Sequence, residues 1–245
     1  MSLAKSGASE QEQSMNGYEF TLAGTRLIAL GSGALYWPGE ALLCVSDLHL
    51  GKSERRARLG DPPLPPYETG DTLMRLERAL SKTGACTVIC LGDSFDDRAA
   101  AEALRDPEKQ WIARLQAGRR WIWIEGNHDP GPLEMGGAHL SGIRIPPLRF
   151  RHIADPNEGA EISGHYHPKA SLRLRGRSVT RPAFLIDAQR VILPAFGTYT
   201  GGLRSHETAL SELMGNGAIA VLTGASPAAI PMPRLRRARA KSTDC

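Results

Sequence analysis

The 245-residue sequence lacks any apolar run near the roughly 18 residues that a membrane-spanning helix needs. Its first 19 residues are polar and do not contain the apolar core of a secretory signal. Only four cysteines occur, and none follows the Cys-x-x-Cys spacing of zinc or redox motifs. Repeats of fixed period are also missing. These absences exclude membrane spans, disulfide scaffolds and repeat arrays, and they predict a cytoplasmic protein with buried, reduced thiols.

Net positive charge is nearly absent from the body of the chain. The formal net charge is +4, yet residues 234–245 alone hold five basic side chains against one aspartate. The rest of the chain is therefore neutral, so any nucleic-acid-binding face has to be a local patch. Residues 1–16 are expected to be a disordered N-terminus and residues 226–245 a disordered basic tail.

Residues 17–225 are expected to form one α/β domain, because a chain of this length can bury a full core. Apolar periodicity predicts alternating strands and helices, in the order strand 41–46, helix 71–82, strand 85–91, helix 98–117 and strand 120–125. The second helix is expected to break at Pro107. This alternation predicts parallel strands in a layered domain, and short strands beyond residue 131 predict a mainly β second half.

Polar side chains follow each of the three predicted strands where it ends. They are Asp47 and His49, then Asp93 and Asp96, then Asn127 and His128. Because the carboxyl ends of parallel strands meet at one edge of a sheet, these side chains are expected to lie close together.

Two of the polar segments have the spacing of a metal-binding pair. Asp47 and His49 are two residues apart, so on an extended strand tip both side chains point the same way and hold one ion. His165 and His167 repeat this spacing with two imidazoles, and His152, alone at the end of an apolar strand, completes the set. Imidazole nitrogen suits transition metals better than Mg²⁺, so a transition-metal ion such as Mn²⁺, Zn²⁺ or Fe²⁺ is expected here.

The order of these motifs resembles the calcineurin-like metallophosphoesterases. The motifs are Asp-x-His, Gly-Asp-x-x-Asp, Gly-Asn-His-Asp, a lone His and Gly-His-x-His. Further segments resemble the bacterial DNA-ligase-associated metallophosphoesterases: Gly31–Pro38, Pro65–Tyr67, Gly92–Phe95, Phe150–His152 and Leu193–Gly202. The resemblance implies a layered sandwich of two mixed β-sheets flanked by helices. It also implies a manganese-dependent DNA endonuclease that acts in repair beside an ATP-dependent DNA ligase and a helicase.

The resemblance also implies a role for each residue. Asp47, His49 and His167 would hold one metal ion, Asn127, His152 and His165 the other, and Asp93 would bridge the two. His128 would stabilise the transition state and protonate the leaving oxygen, and Asp96 would orient His128 through a hydrogen bond and raise its pKa. The sequence departs from the pattern here, since the ligase-associated family leads us to expect His where this chain has Asp96, and general phosphatases of the superfamily carry Asp.

A basic segment follows the second metal-binding pair. No acidic residue occurs between Ile162 and Ile186, while four arginines accumulate there, namely Arg173, Arg175, Arg177 and Arg181. A groove that contacts the phosphates of DNA, single-stranded DNA included, is one interpretation, and a solvated strand face is the other. Tyr36 and Trp37 are candidates for base stacking, with packing beside Pro38 as the alternative.

Two other functions stay open at the level of sequence. A phosphatase or phosphodiesterase for small molecules or nucleotides is favoured by Asp96. A non-catalytic protein that binds DNA ends is the second alternative, although the intact set of metal-binding motifs, with His128 present, favours an enzyme.

Overall fold

The computed structural model describes residues 15–131, 134–174 and 176–234. Its first sheet has the strand order β1-β2-β3-β4-β5-β6-β7. These strands are β1 (Gly17–Leu22), β2 (Thr25–Leu30), β3 (Leu35–Trp37), β4 (Leu42–Val45), β5 (Thr87–Leu91), β6 (Arg120–Ile124) and β7 (Ala138–Leu140). Strands β1 to β4 pair antiparallel and β4 to β7 pair parallel, so the sheet is mixed.

The second sheet has the order β15-β14-β12-β13-β10-β9-β8, with β11 paired to β12. Its strands are β8 (Gly142–Ile145), β9 (Leu148–Arg151), β10 (Glu161–Ser163), β11 (Lys169–Leu174), β12 (Arg177–Ile186), β13 (Arg190–Ile192), β14 (Ile219–Leu222) and β15 (Ala228–Pro231). The helices are α1 (Lys52–Arg58), α2 (Glu68–Thr83), α3 (Arg98–Glu102), α4 (Asp106–Gln116) and α5 (Thr208–Leu213). A short 3-10 helix covers Pro38–Glu40.

The two sheets pack face to face, and helices cover their outer faces. One apolar cluster joins Ile89 of the first sheet to Phe184 of the second. Leu76 of α2 and Ile112 of α4 pack on the other side of the first sheet, and Leu210 of α5 packs on the second sheet. The predicted fold class, a layered α/β sandwich of two mixed sheets flanked by helices, is confirmed.

Strand β5 shows why the central strands are continuous apolar runs. Val88 and Cys90 face the helices, whereas Ile89 and Leu91 face the second sheet. Because side chains alternate along a strand and both faces are covered, Val88 to Leu91 are all buried. The apolar run ends at Gly92, where the strand gives way to a loop that carries polar side chains and stays buried as far as Asp96.

Several local predictions need correction. The helix predicted over 98–117 is broken, as expected, but the break lies at residues 103–105, before Pro107, which lies in the first turn of α4, where its missing N–H is not needed. The domain does not end at residue 225, since β15 pairs with β14 and Met232 is buried, so the predicted tail of 226–245 begins too early. Cys86 is exposed rather than buried. Residues 1–14 and 235–245 lie outside the described part of the chain.

The structure decides between stacking and packing for Tyr36 and Trp37. Tyr36 and Trp37 are 6% and 7% exposed, so these aromatic rings pack and cannot stack on bases. None of the helices in the described ranges is both long enough and apolar enough to span a bilayer.

Candidate metal centre

The loops that carry the candidate metal ligands are bonded to one another through the backbone. Asp47 N donates to Gly92 O (3.2 Å) and His49 N donates to Asp93 O (2.9 Å), which joins the loops after β4 and β5. Gly164 N donates to His152 O (2.9 Å), which joins the loops after β9 and β10. The strand ends therefore converge as the parallel order predicts, and the second sheet contributes its own loops to the same edge.

Five of the candidate residues have left-handed backbone conformations, which bulky side chains rarely adopt. The φ angles are 53° at Asp47, 45° at His49, 46° at Asp93, 71° at His165 and 47° at His167. The prediction of extended tips for the two metal-binding pairs is therefore wrong. Such strain persists only where surrounding contacts hold it, and it concentrates at functional sites.

Two glycines let the loops approach closely enough for these contacts. A Cβ atom at Gly164 would collide with the side chain of Ser46, and one at Gly126 would collide with the Asp93 amide and carboxylate. Any larger residue at either position would push the loops apart.

The first donor group consists of Asp47, His49 and His167. The Nε2 atoms of the two histidines are 3.3 Å apart, and His167 Nε2 lies 3.1 Å from Asp47 Oδ1. Asp47 is fully buried, and its Oδ1 accepts no hydrogen bond from the described residues, whereas Oδ2 accepts from Ser46 Oγ (2.5 Å) and His165 N (3.0 Å). A buried carboxylate oxygen without a donor is costly, and a cation would satisfy it. The donor set therefore fits a divalent metal ion.

The second donor group surrounds His152. Its Nε2 lies 3.0 Å from Asn127 Oδ1, 3.2 Å from His165 Nδ1 and 3.4 Å from Asp93 Oδ2. Because His152 Nδ1 donates to Leu91 O (2.7 Å), Nε2 is the atom turned toward the other donors. Four electron-rich atoms at this spacing also fit a metal ion, and the Nδ1 hydrogen bond to Leu91 O fixes the tautomer and orientation of the His152 ring.

The neighbouring groups shift the pKa values of the second donor group and keep Asp93 ionised. Burial opposes ionisation of Asp93, but the His152 ring and the His128 amide together lower its pKa to about 2. Burial also opposes protonation of His152, yet the hydrogen bond to Asp93 and the charge of Asp47 outweigh it and raise the pKa of His152. At His165 burial and the neighbouring His152 lower the pKa. Asp93 is therefore a carboxylate over the whole physiological range.

His128 and Asp96 do not interact in the predicted way. His128 Nδ1 donates to the backbone oxygen of Asp96 (2.9 Å), not to its carboxylate. The Asp96 carboxylate, 1% exposed, accepts from His49 Nδ1 (2.8 Å), Lys52 Nζ (3.3 Å) and Arg55 Nη1 (3.2 Å). Burial opposes its ionisation, but the His49 hydrogen bond and the Lys52 charge hold the pKa of Asp96 well below its usual range. Asp96 therefore fixes His49 with Nε2 facing the first donor group.

A third cluster overlaps these two groups. One donor atom from each of His49, Asp96 and His128 lies within 4.8 Å of the others, as in the first and second groups. In this cluster, however, Asp96 already accepts hydrogen bonds from His49, Lys52 and Arg55. The first and second groups therefore fit metal ions better.

Asp129, to which sequence reasoning gave no role, holds the loop after β5. Its two oxygens accept from the amides of Asp93 (2.9 Å), Ser94 (2.7 Å), Phe95 (3.2 Å) and Gly126 (3.1 Å). Burial, with the nearby charge of Asp93, raises the pKa of Asp129 to about 6. The sequence signal for Asp129 was its position in the motif Gly-Asn-His-Asp. Only the fold shows that Asp129 positions the Asp93 backbone.

The predicted arginine groove is divided between two faces of the β11–β12 hairpin. Ser171 lies opposite Thr180, and Ala170 lies opposite Arg181, so Arg173 shares a face with Ser171 while Arg181 lies on the other face. Arg177 has the same parity as Arg181, and Arg175 lies outside the described residues. Lys169, on the Arg173 face, donates to Thr200 O (3.2 Å). Through Lys169, the Arg173 face contacts the loop after β13.

The comparisons with known proteins agree with this geometry. Residues 41–187 match the sequence profile of the calcineurin-like phosphoesterases, a range that contains every candidate metal ligand. The chain is similar to the crystal structure of the nuclease MPE of Pseudomonas putida, with 29% identity, a TM-score of 0.65 and coverage of 84% of this chain and 96% of that one. A search of curated proteins found no match.

Proposed function

The chain belongs to the calcineurin-like phosphoesterase family, and we propose that it is a manganese-dependent DNA phosphodiesterase that acts in repair beside an ATP-dependent DNA ligase and a helicase. The observation that carries the DNA substrate is the similarity to a nuclease over 84% of the chain. The family membership supports a metal-dependent phosphoesterase. The Asp and His donor groups are able to hold divalent metal ions.

In this proposal the two donor groups would hold two metal ions. Asp47, His49 and His167 would hold one, Asn127, His152 and His165 would hold the other, and Asp93 would be shared by both. The buried Asp47 Oδ1, which accepts no hydrogen bond from the described residues, and the convergence of four donor atoms at His152 support this assignment. When bound, two such ions would supply positive charge beside a phosphate and a lowered pKa for a water that serves as the nucleophile.

The chain supplies the proton chemistry on the other side of the phosphate. Because His128 Nδ1 keeps its proton in the hydrogen bond to Asp96 O, the ring presents Nε2 as the atom that donates to the leaving oxygen. Protonated His128 also stabilises the negative charge that builds up on the phosphate oxygens. Asp96 is a positioning residue: it orients His49 through a hydrogen bond.

A phosphoesterase for small molecules or nucleotides is the second candidate. Asp96, at the position where the ligase-associated family is expected to carry His, favours it. In the structure this carboxylate is fully occupied by His49, Lys52 and Arg55, so it has no free oxygen with which to select a substrate.

The substrate class and the metal are tested together. Purified protein, stripped of metal and resupplied with Mn²⁺ or Mg²⁺, is expected to nick circular single-stranded DNA and to act faster with Mn²⁺, because the four imidazole ligands suit transition metals. A chromogenic phosphodiester should be hydrolysed in parallel. Hydrolysis of a monoester without DNA cleavage would favour the small-molecule function, and equal activity in Mg²⁺ would contradict the manganese assignment.

The Arg173 face gives a second test. Replacing Arg173 by Ala removes one phosphate contact and is expected to reduce the logarithmic salt slope of single-stranded DNA binding by about 0.7. Arg181→Ala, on the opposite face of the same hairpin, is the matched control and should leave the slope unchanged. Binding titrations between low and moderate salt measure both. An equal change in the two variants would show that the hairpin acts by general charge, without a phosphate-contacting face.

A further inference from the structure

Two tyrosines, Tyr67 exposed and Tyr199 half-buried, form an aromatic pair that the proposed chemistry does not use. The ring centroids of Tyr67 and Tyr199 are 5.6 Å apart, and the ring planes are tilted by 56°. Tyr67 is 57% exposed. A hydrogen bond with Tyr67 raises the pKa of Tyr199 to about 12, so the Tyr199 hydroxyl stays neutral at physiological pH. Both residues fall in segments that the sequence singles out, Pro65–Tyr67 and Leu193–Gly202.

The loop that carries Tyr199 is attached to the metal centre at both ends. On one side Gly197 N donates to Asp47 O (3.0 Å). On the other side Leu203 N donates to Tyr166 O (3.1 Å), and Gly202 lies so close to the His167 backbone that a Cβ atom would collide with it. Tyr199 therefore lies midway between two segments that end at candidate metal ligands.

The segment that carries Tyr67 is tied to the same loop. Tyr67 immediately precedes α2, and Thr72 of α2 accepts a hydrogen bond from Thr198 N (3.1 Å). The Thr198 hydroxyl donates to Asp71 Oδ2 (2.6 Å). These bonds fix the first turn of α2 against the residue next to Tyr199, so the two rings are held together by the backbone beneath them.

The conformation of Tyr199 is strained. Its φ of 61° places a bulky residue in the left-handed region, which is a true outlier for such a side chain. The Tyr199 ring is half-buried and packs on Tyr67, which is itself 57% exposed, so packing offsets this strain only in part. Backbone strain of this kind concentrates at functional positions.

We propose that Tyr67 and Tyr199 stack on an unpaired nucleobase of the DNA strand whose phosphodiester lies at the metal centre. This inference rests on the proposed function and adds a specificity for single-stranded DNA. Exposed aromatic rings beside a phosphate-binding site are the usual way in which proteins hold bases without reading their sequence. The other aromatic candidates, Tyr36 and Trp37, are buried and cannot do so.

The test is a binding measurement without cleavage. A labelled oligothymidylate and an abasic oligonucleotide of the same length are titrated against the metal-free protein by fluorescence anisotropy. The parent is expected to bind the oligothymidylate more tightly. Tyr67→Ala should lose about fivefold or more of that affinity and little affinity for the abasic strand, since base stacking on one aromatic ring contributes about that much.

Two further variants separate stacking from other effects. Tyr67→Phe keeps the ring and should keep the preference for bases, although it loses the hydroxyl bond to Tyr199. Leu59→Ala removes an exposed apolar side chain of similar exposure, 58%, and should change neither affinity. A parent without base preference, an unchanged preference in Tyr67→Ala, or an equal loss on both strands would overturn the inference.

These results are distinguishable from failure of the proposed function. If the parent cleaves DNA but Tyr67→Ala keeps its base preference, only the stacking site is wrong. If the parent cleaves no DNA, yet Tyr67→Ala loses base-dependent binding, the stacking site stands and the nuclease assignment is wrong.

Discussion

His128→Ala is expected to abolish phosphodiester hydrolysis while the protein retains its metal, and Asp93→Ala is expected to lose both. His128 donates through Nδ1 to a backbone oxygen and is assigned no metal, so its removal deletes only the proton donor, which contributes about 10²- to 10⁴-fold to the rate. Asp93 is an ionised carboxylate in the second donor group and the proposed bridge between the two ions. Metal analysis of the purified variants and a chromogenic diester assay give the two readouts.

His206→Ala is the matched control for the histidine substitution. His206 is half-buried and belongs to none of the donor groups found among the described residues, so both metal content and hydrolysis should stay at the parent level. If His128→Ala lost metal to the same extent as Asp93→Ala, His128 would be a ligand and its assignment as proton donor would be wrong.

Asp96→Asn is expected to weaken metal binding about 10- to 100-fold, the usual effect of removing the carboxylate that orients a ligating histidine. The physical reason is the 2.8 Å hydrogen bond from His49 Nδ1, which fixes the ring with Nε2 toward Asp47 and His167. The amide also removes a negative charge and leaves Lys52 and Arg55 beside the ligand, which adds repulsion against a cation. Activity should be restored by excess Mn²⁺.

Asp97→Asn is the matched control for Asp96→Asn. Asp97 is the next residue and also pairs with Arg55, but it contacts none of the candidate ligands; it caps α3 through the Ala100 amide. Its variant should bind Mn²⁺ as tightly as the parent. If Asp96→Asn kept full metal affinity and instead shifted the alkaline limb of the pH–rate profile to lower pH, Asp96 would act on the proton donor His128, as the sequence suggested, and the structural assignment would fail.

The sequence predicted correctly those strands whose two faces are both buried. Ile89 and Val88 point to opposite faces of β5 and both meet apolar layers, so the run is apolar throughout and its end is visible as Gly92 and Asp93. Because the carboxyl ends of parallel strands meet at one edge of a sheet, Asp47, Asp93 and Asn127 were then expected to lie together.

The details of the site depend on contacts between segments that are distant in sequence. Asp96 is 32 residues from His128 and 47 from His49, and no local pattern shows which of the two its carboxylate reaches. The left-handed conformations at Asp47 and His165 are likewise imposed by the neighbouring loops, whereas local preference favours extended backbone for such side chains.

Edge strands were the least predictable elements. Ala228–Pro231 is a short strand with two prolines nearby and little apolar alternation, and its composition resembles that of the tail that follows it. Its pairing with β14 depends on the tertiary fold, so composition alone placed the domain boundary too early. The same holds for the Arg173 face, which became distinct from Arg181 only through the strand register.

The central claim, two metal ions bridged by Asp93, is tested most directly by anomalous diffraction at the manganese edge from crystals grown with Mn²⁺. The expected result is two peaks about 3.5 to 4 Å apart on either side of the Asp93 carboxylate. One peak should lie within the donor group of Asp47, His49 and His167, and the other at His152 and His165. A single peak, or a peak among His49, Asp96 and His128, would contradict the assignment.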